Sequence, residues 1–153
     1  MEQNRELTFT RIVDAPRELV FKAWTKPELL AQWWGPRGFT NPICEADARV
    51  NGKIHIDMTG SDGTVFPMNG TFREIVPSEK LVFTTDAGMY DENGEPTLQN
   101  INTVTFEEFK GITKIVVHVV VVKAAPQMAE ALSGMEQGWS ESLYKLADTL
   151  STL

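Results

Sequence analysis

Alternating apolar and polar positions predict β-strands over most of the chain. The segment "ELTFTRIV" (Glu6 to Val13) alternates and is rich in β-branched residues, so we expect a first strand there. About six further strands are expected between Ile43 and Lys123, separated by turn signals such as "SDG" at Ser61 to Gly63. Because short turns join successive strands, the sheet should be antiparallel and curved.

The details of this sheet follow from glycine, proline and polar residues. "CEADARV" and "KIHIDM" should form a hairpin across Asn51 and Gly52, a strong hairpin signal. Pro67 and Gly70 predict an edge position or a bulge in the strand Thr64 to Val76. The polar segment Gly88 to Asn100 is expected to be the longest irregular loop.

Helical periodicity appears at both ends of the strand region. Two short helices should follow the first strand, with Pro16 and Pro27 near their first positions. From Pro126 to about Leu150 we expect one long helix, with an apolar stripe at helical spacing. The stripe consists of Met128, Leu132, Met135, Trp139, Leu143, Leu146 and Leu150. The prediction is therefore an α+β fold in which six to seven strands wrap around a long C-terminal helix.

A line of small residues lies beside this stripe: Ala131, Gly134, Gly138 and Ser142. A glycine inside a helix costs about 1 kcal/mol relative to alanine, so a compensating role is expected for both. Two interpretations remain open. The small residues either admit another backbone, such as the helix near Trp33, or leave space for a bound molecule between helix and sheet.

Composition narrows the function classes. The 153 residues suit a single domain over 1–153, and a formal net charge of −7 argues against nucleic acid and an anionic membrane surface as partners. The single cysteine, Cys44, permits no internal disulfide, and the N-terminus lacks the apolar core of a signal peptide. We therefore expect a cytoplasmic protein.

Few residues suggest chemistry. His55 and His118 have no metal-ligand spacing, and no phosphate-binding or nucleophile motif is present, so neither a metal nor a cofactor is predicted. A nucleophilic Cys44 is disfavoured because a lone cysteine at a strand start is usually inert. His118 lies in "IVVHVVVV", which is apolar on both faces, so it is either a satisfied core histidine or a polar contact in a cavity. If Trp33 and Trp34 are both helical they point about 100° apart, so one should face inward and the other a cavity mouth or interface.

Several segments together resemble a known family. "RIVDAPRELVFKAWTKPELLAQWWGPRGFT" is similar to the opening of the domain related to the activator of the Hsp90 chaperone ATPase, within the START-like or SRPBCC superfamily. This superfamily includes Bet v-like proteins and polyketide cyclases. "DARVNGKIHIDM" resembles the family's Asp-x-Arg-x-Gly-Gly hairpin, with Asn51 at the first glycine. "GTFREIVPSEKLVF" and "GWSESLYKLADTL" also match, so the resemblance covers nearly the whole chain.

The resemblance implies a helix-grip fold with a deep, mainly apolar cavity between sheet and helix. Superfamily relatives bind lipids, sterols, polyketides or aromatic compounds there, and some are cyclases or hydrolases. The eukaryotic namesake uses an additional N-terminal domain to stimulate its chaperone. That domain is not found in these 153 residues, so a chaperone partner is not the favoured expectation. A homodimer is left open.

We therefore expect an apolar or amphipathic small molecule to bind in the interior. The expected ligand-binding residues are Trp33, Trp34, Phe66, Met68, Phe83, Phe106, His118, Met135, Gly138 and Trp139. The first alternative is a cyclase or hydrolase. His118 is the leading candidate for its general acid or base, and Glu45, Asp47 and Glu74 are the next candidates. The second is a protein-interaction module, which predicts an exposed apolar patch.

Overall fold

A computed structural model describes residues 5–153, apart from the side chains of residues 88 and 89. One antiparallel sheet of seven strands has the order β1-β7-β6-β5-β4-β3-β2. The strands are β1 (Glu6–Val13), β2 (Thr40–Ala46), β3 (Lys53–Thr59), β4 (Val65–Val76), β5 (Lys80–Tyr90), β6 (Pro96–Phe109) and β7 (Ile112–Ala124). The helices are α1 (Arg17–Thr25), α2 (Pro27–Trp33), α3 (Ala129–Ser133) and α4 (Met135–Ser151). The predicted α+β helix-grip fold is confirmed.

The two faces of the sheet are distinguished by burial in β7. Its alternate residues Thr113, Ile115, Val117, Val119 and Val121 are buried and form part of the inner face. The intervening residues are partly or fully exposed on the outer face. The uniformly apolar sequence of β7 did not indicate which set faces inward, because both sets are rich in valine.

Helix α4 packs on this inner face along the predicted apolar stripe. The buried residues of α4 are Met135, Trp139, Ser142, Leu143, Leu146, Thr149 and Leu150. The stripe is therefore confirmed from Met135 onward. Before that point Met128 and Leu132 are only partly buried.

The prediction of one continuous helix from Pro126 to Leu150 is wrong. A 3₁₀ turn (Pro126–Met128) and the five-residue α3 precede α4, and neither contains a buried residue. Gly134 separates α3 from α4 with φ −90° and ψ 0°. Glycine suits such a break because it costs about 1 kcal/mol relative to alanine in a helix interior. Gly134 is thus a junction rather than a residue inside a helix.

The predicted long loop is also shorter than expected. β5 continues to Tyr90 and β6 begins at Pro96, and these two residues pair across the sheet. Only residues 91–95 turn between the strands. The Asp91 carboxylate accepts hydrogen bonds from the backbone N–H groups of Asn93 and Glu95, which makes the turn compact.

The Asn51–Gly52 signal marks a wider turn than a two-residue hairpin. β2 ends at Ala46 and β3 begins at Lys53, so residues 47–52 form the connection. Asn51 has φ 70°, in the left-handed region that asparagine tolerates better than most residues. A Cβ on Gly52 would collide with the carbonyl oxygen of Asp47, so this position requires glycine.

Candidate functional site

The centre of the interior is a cluster of aromatic rings around Trp24 of α1. The Trp24 ring centroid lies 4.6 Å from Trp33, 6.2 Å from Phe83, 6.3 Å from Phe106 and 6.4 Å from Trp139. These rings come from both short helices, two strands and α4. The part of this cluster beneath α1 and α2 is called the aromatic end of the interior, and consists of Trp24, Trp33, Trp34, Phe83 and Phe106.

Both adjacent tryptophans are buried, contrary to the expectation that they point in different directions. Helix α2 ends at Trp33, and Trp34 is extended with φ −65° and ψ 137°. This change of backbone turns Trp34 inward, where it packs against Phe83 and Trp139. The indole Nε1 of Trp33 donates a hydrogen bond to the Ala23 carbonyl oxygen at 2.9 Å, which fixes α2 against α1.

The space enclosed at the aromatic end is small. A cavity of about 10 Å³ remains there, which is room for roughly one water molecule. The side chains that line it belong to Trp24, Leu30, Trp34, Ile54, Ile56, Met68, Phe72 and Phe83. Three expected ligand-binding residues, Trp34, Met68 and Phe83, thus meet at one cavity. The deep open cavity implied by the resemblance is replaced by packed side chains.

The glycines of the C-terminal segment do not border this cavity. A Cβ built on Gly138 would contact Cγ of Pro36 at 3.6 Å, in the loop that follows α2. Gly134 has only the carbonyl oxygens of its own segment, Glu130 and Ala131, nearby. The prediction that Gly138 contacts an interior ligand is therefore wrong. The position faces the loop after α2 at an ordinary contact distance, so the structure also leaves room for a methyl group there and does not require glycine to admit another backbone.

Lys145 of α4 holds that same loop in place. Its ammonium group donates hydrogen bonds to the carbonyl oxygens of Gly35, Pro36 and Phe39 at 3.2–3.3 Å. Burial lowers the pKa of Lys145, and the nearby Arg37 lowers it further, while Glu141 opposes this effect. These hydrogen bonds attach the loop to α4 and close the aromatic end on this side.

The other end of the interior is more polar and less firmly covered. Asn100 and Asn102 are consecutive inward-facing residues of β6, and both are buried. The amide of Asn100 donates to the sulfur of Met135 at 3.8 Å. We call this region, defined by Asn100, Asn102 and Met135, the amide end. Residues 126–134 adjoin it, because Ala125 donates to the Thr97 carbonyl and Met135 follows Gly134.

Unpaired polar atoms are concentrated in the interior. Among the described residues, the buried side-chain atoms without a hydrogen-bond partner are Trp24 Nε1, Asn41 Oδ1, Asn100 Oδ1 and Asn102 Oδ1. Buried polar atoms are normally paired, because leaving one unpaired costs about 1–3 kcal/mol. Asn41 lies apart, since its amide ties α2 to β2 through the Ala31 and Trp34 carbonyls. The other three face the interior.

Two expected ligand-binding residues lie outside the interior. His118 is on the outer face of β7, where its Nε2 pairs with Glu6 Oε1 at 2.9 Å. Phe66 is 51 % exposed and packs at a tilt against Phe39, with ring centroids 5.9 Å apart. The predictions that His118 and Phe66 line an interior site are therefore wrong. Phe106, Met135 and Trp139 are buried, but their side chains are not among those that line the small cavity.

The groups considered for acid–base or nucleophilic chemistry are also poorly placed. Glu45, Asp47 and Glu74, the next candidates for an acid or base, are exposed, so none of them lies in an enclosed apolar site. Burial, followed by the nearby carboxylate of Glu45, raises the pKa of Cys44 to about 11. The reactive thiolate of Cys44 is consequently scarce at neutral pH. Within residues 5–153 we find no cluster of His, Cys, Asp and Glu suited to a metal ion.

An open groove of about 880 Å³ lies at the β6–β7 hairpin. Ile12, Phe109 and Ile112 are exposed along it, and charged residues of both signs stand between them. It is separate from the amide end, so substitutions at Phe109 provide controls for the interior. In the part of the chain that the structure covers, no helix has the length and apolarity needed to cross a bilayer.

Comparison with known proteins agrees with the geometry. The family model described as "Activator of Hsp90 ATPase homolog 1-like protein" matches residues 14–151. The chain belongs to this family. No curated protein matches it.

Solved structures show the same fold. A protein from Chromobacterium violaceum is 26 % identical with a TM-score of 0.80, over 95 % of this chain and 96 % of that one. One from Arthrobacter aurescens is also 26 % identical, with a TM-score of 0.83 over 97 % and 87 % of the two chains. The AHSA1 protein of Silicibacter pomeroyi is 22 % identical, with a TM-score of 0.78 over 97 % and 99 %.

Sequence reasoning did not identify Trp24, Asn100, Asn102 or Lys145 as site residues. A signal for the two asparagines was present: in β6 they occupy the same alternate positions as Leu98, Val104 and Phe106, which are inward-facing. Polar residues within an otherwise apolar alternation are candidates for a polar interior contact. Lys145 gave no comparable signal, since a lysine on an amphipathic helix usually faces solvent.

Proposed function

We propose that this protein binds a small apolar or amphipathic molecule between the sheet and α4. The observation that carries the proposal is the set of three unpaired polar atoms buried in a mainly apolar interior. A bound molecule with a few polar atoms would pair them, and ligand sites are typically apolar with a few polar groups. Membership of a family whose fold commonly holds hydrophobic ligands supports the same proposal.

Entry of a ligand requires the interior to open, because the cavity of about 10 Å³ is too small for any such molecule. The segment 126–134 is the part most easily displaced. It has no buried residue in its 3₁₀ turn or in α3 and meets α4 at Gly134. Segments with few buried apolar contacts open at low free-energy cost. Movement of this segment with Met135 would expose the amide end.

Chemical-shift mapping with a panel of small molecules tests the proposal. The panel contains a fatty alcohol, an alkylphenol, a sterol and an aromatic hydrocarbon. We expect at least one member to shift the methyl signal of Met135 and the indole signals of Trp24 and Trp139. Amide hydrogen exchange in residues 126–138 should also slow when that molecule is bound.

The control is Phe109→Ser, which changes the exposed groove and leaves the interior intact. It should bind the same molecules as the unaltered protein. The proposal is wrong if no panel member binds, or if the shifts are confined to Phe109, Ile112 and their neighbours.

A further inference from the structure

In each of the two buried asparagines of β6, only the side-chain nitrogen has a hydrogen-bond partner. An ordinary buried structural amide has partners for both its nitrogen and its oxygen. The Asn102 amide nitrogen donates to the Phe83 carbonyl oxygen and to Thr85 Oγ1, both at 3.2 Å. A carbonyl oxygen can only accept, so this contact fixes which end of the amide faces Phe83. The Asn102 oxygen is therefore the atom left unpaired, and Asn102 is fully buried.

Asn100 repeats this arrangement two residues earlier on the same face. Its nitrogen contacts the weakly accepting sulfur of Met135, and its oxygen has no partner. Residues two apart on one face of a strand are separated by roughly 7 Å. The two unpaired oxygens thus belong to neighbouring inward-facing residues of the amide end. The amide of Asn100 contacts Met135, which directly follows the segment 126–134.

Trp24 adds a donor on the opposite side of the interior. Its ring packs on Phe83, which is the cross-strand partner of Asn102. Its indole N–H is buried and unpaired. The interior consequently offers hydrogen-bond acceptors on the sheet and a donor on α1, all already removed from water before any ligand arrives.

Charge limits the ligand further. The buried polar residues are threonine, asparagine and serine, and no buried residue among those described carries a charge. A carboxylate or an ammonium group would lose its hydration in this interior without a counter-charge. A neutral hydroxyl group can both donate to an amide oxygen and accept from an indole N–H.

We infer that the ligand is a neutral, mainly apolar molecule with a hydroxyl group, which donates a hydrogen bond to the side-chain oxygen of Asn102 or Asn100 at the amide end. This inference rests on the proposed function and specifies the chemistry of its site. Pairing an acceptor that is already desolvated requires no further loss of water on the protein side. The hydroxyl group therefore increases affinity here, whereas a site without acceptors would favour the plain hydrocarbon.

A matched pair of probes tests the inference: p-hexylphenol and hexylbenzene, which differ by one hydroxyl group. We expect the phenol to bind the unaltered protein about tenfold more tightly in a calorimetric or fluorescence titration, corresponding to about 1.4 kcal/mol. Asn102→Leu should equalise or reverse the preference. Thr103→Val, on the outer face of the same strand, should retain it.

Asn100→Leu provides a second variant if Asn102→Leu does not fold, because Asn100 contributes only a weak contact to Met135. Its preference for the phenol should be reduced. Equal affinity of the unaltered protein for both probes would overturn the inference and leave the proposed function standing. Preference for the phenol that persists in both asparagine variants would overturn it as well. Binding of neither probe would count against the proposed function itself.

Discussion

The aromatic end and the amide end of the interior are covered in different ways. The aromatic end lies beneath α1 and α2, whose tryptophans pack against one another and whose following loop is tied to α4 by Lys145. The amide end adjoins residues 126–134, which have no buried residue in their helical parts. Hydrogen-bond pairing separates the two ends only in part. At the aromatic end Trp33 Nε1 is paired and Trp24 Nε1 is not, whereas at the amide end both asparagine oxygens are unpaired. We therefore expect the aromatic end to contribute more to stability, and we place ligand entry at the amide end.

The largest expected effect is a difference in stability between side-chain truncations at the two ends. Trp33→Ala should lower the free energy of unfolding by about 3–5 kcal/mol, because Trp33 is fully buried where no segment can collapse into the space. Met135→Ala should cost about 2 kcal/mol, the low end for a buried methionine, since the adjoining segment can settle inward. Urea denaturation of both variants measures the difference. Because Trp33→Ala removes the larger side chain, an equal loss in Met135→Ala would mean that the amide end does not settle inward, and the comparison would fail.

Alanine substitutions at two glycines, Gly70 in the sheet and Gly138 in α4, should change the stability by smaller amounts and in opposite directions. A Cβ on Gly70 of β4 would collide with the Thr84 carbonyl oxygen of β5, so Gly70→Ala should cost about 1–3 kcal/mol through forced movement of the sheet. Gly138→Ala should instead stabilise the protein by about 0.5–1 kcal/mol, because alanine favours the helix and contacts Pro36 at an ordinary distance. Thermal unfolding of the pair checks both signs. A loss of stability in Gly138→Ala would show that the loop after α2 cannot accommodate even one methyl group.

The contrast between the two ends shows which features of the fold and of the site the residue pattern can predict. Alternation predicted an antiparallel sheet of six to seven strands, and the structure has seven. Helical spacing predicted the apolar stripe that is buried from Met135 to Leu150, because burial of one face directly shapes the residue pattern. Alternation could not orient His118, since valines occupy both faces of β7. It also could not show that Trp34 turns inward, because that depends on where α2 ends. The ring contacts of the aromatic end and the amide pairs of Asn102 depend on tertiary packing, which residue spacing does not specify.

The smallest expected effect is a pH dependence of the folding stability, without a pH dependence of the ligand affinity. On the outer face, the His55 ring contacts Asn69 Oδ1 through Nδ1 at 2.7 Å and Asp57 Oδ1 through Nε2 at 2.9 Å. The hydrogen bond to Asn69 raises the pKa of His55 above 6.5; burial opposes this, and the carboxylates of Asp57 and Glu45 add to it. The charged form is thus favoured in the folded protein.

The stabilising contribution of His55 should therefore be complete below the unfolded pKa of 6.5 and decline as pH rises through the raised folded value. Thermal unfolding between about pH 6 and 8 should show this decline, and His55→Gln should reduce it. The affinity for p-hexylphenol should stay constant over the same range, because none of the described residues that are buried in the interior is charged. An affinity that followed the stability would mean that the amide end is coupled to the outer face. The two ends would then differ in charge coupling as well as in packing and hydrogen bonding.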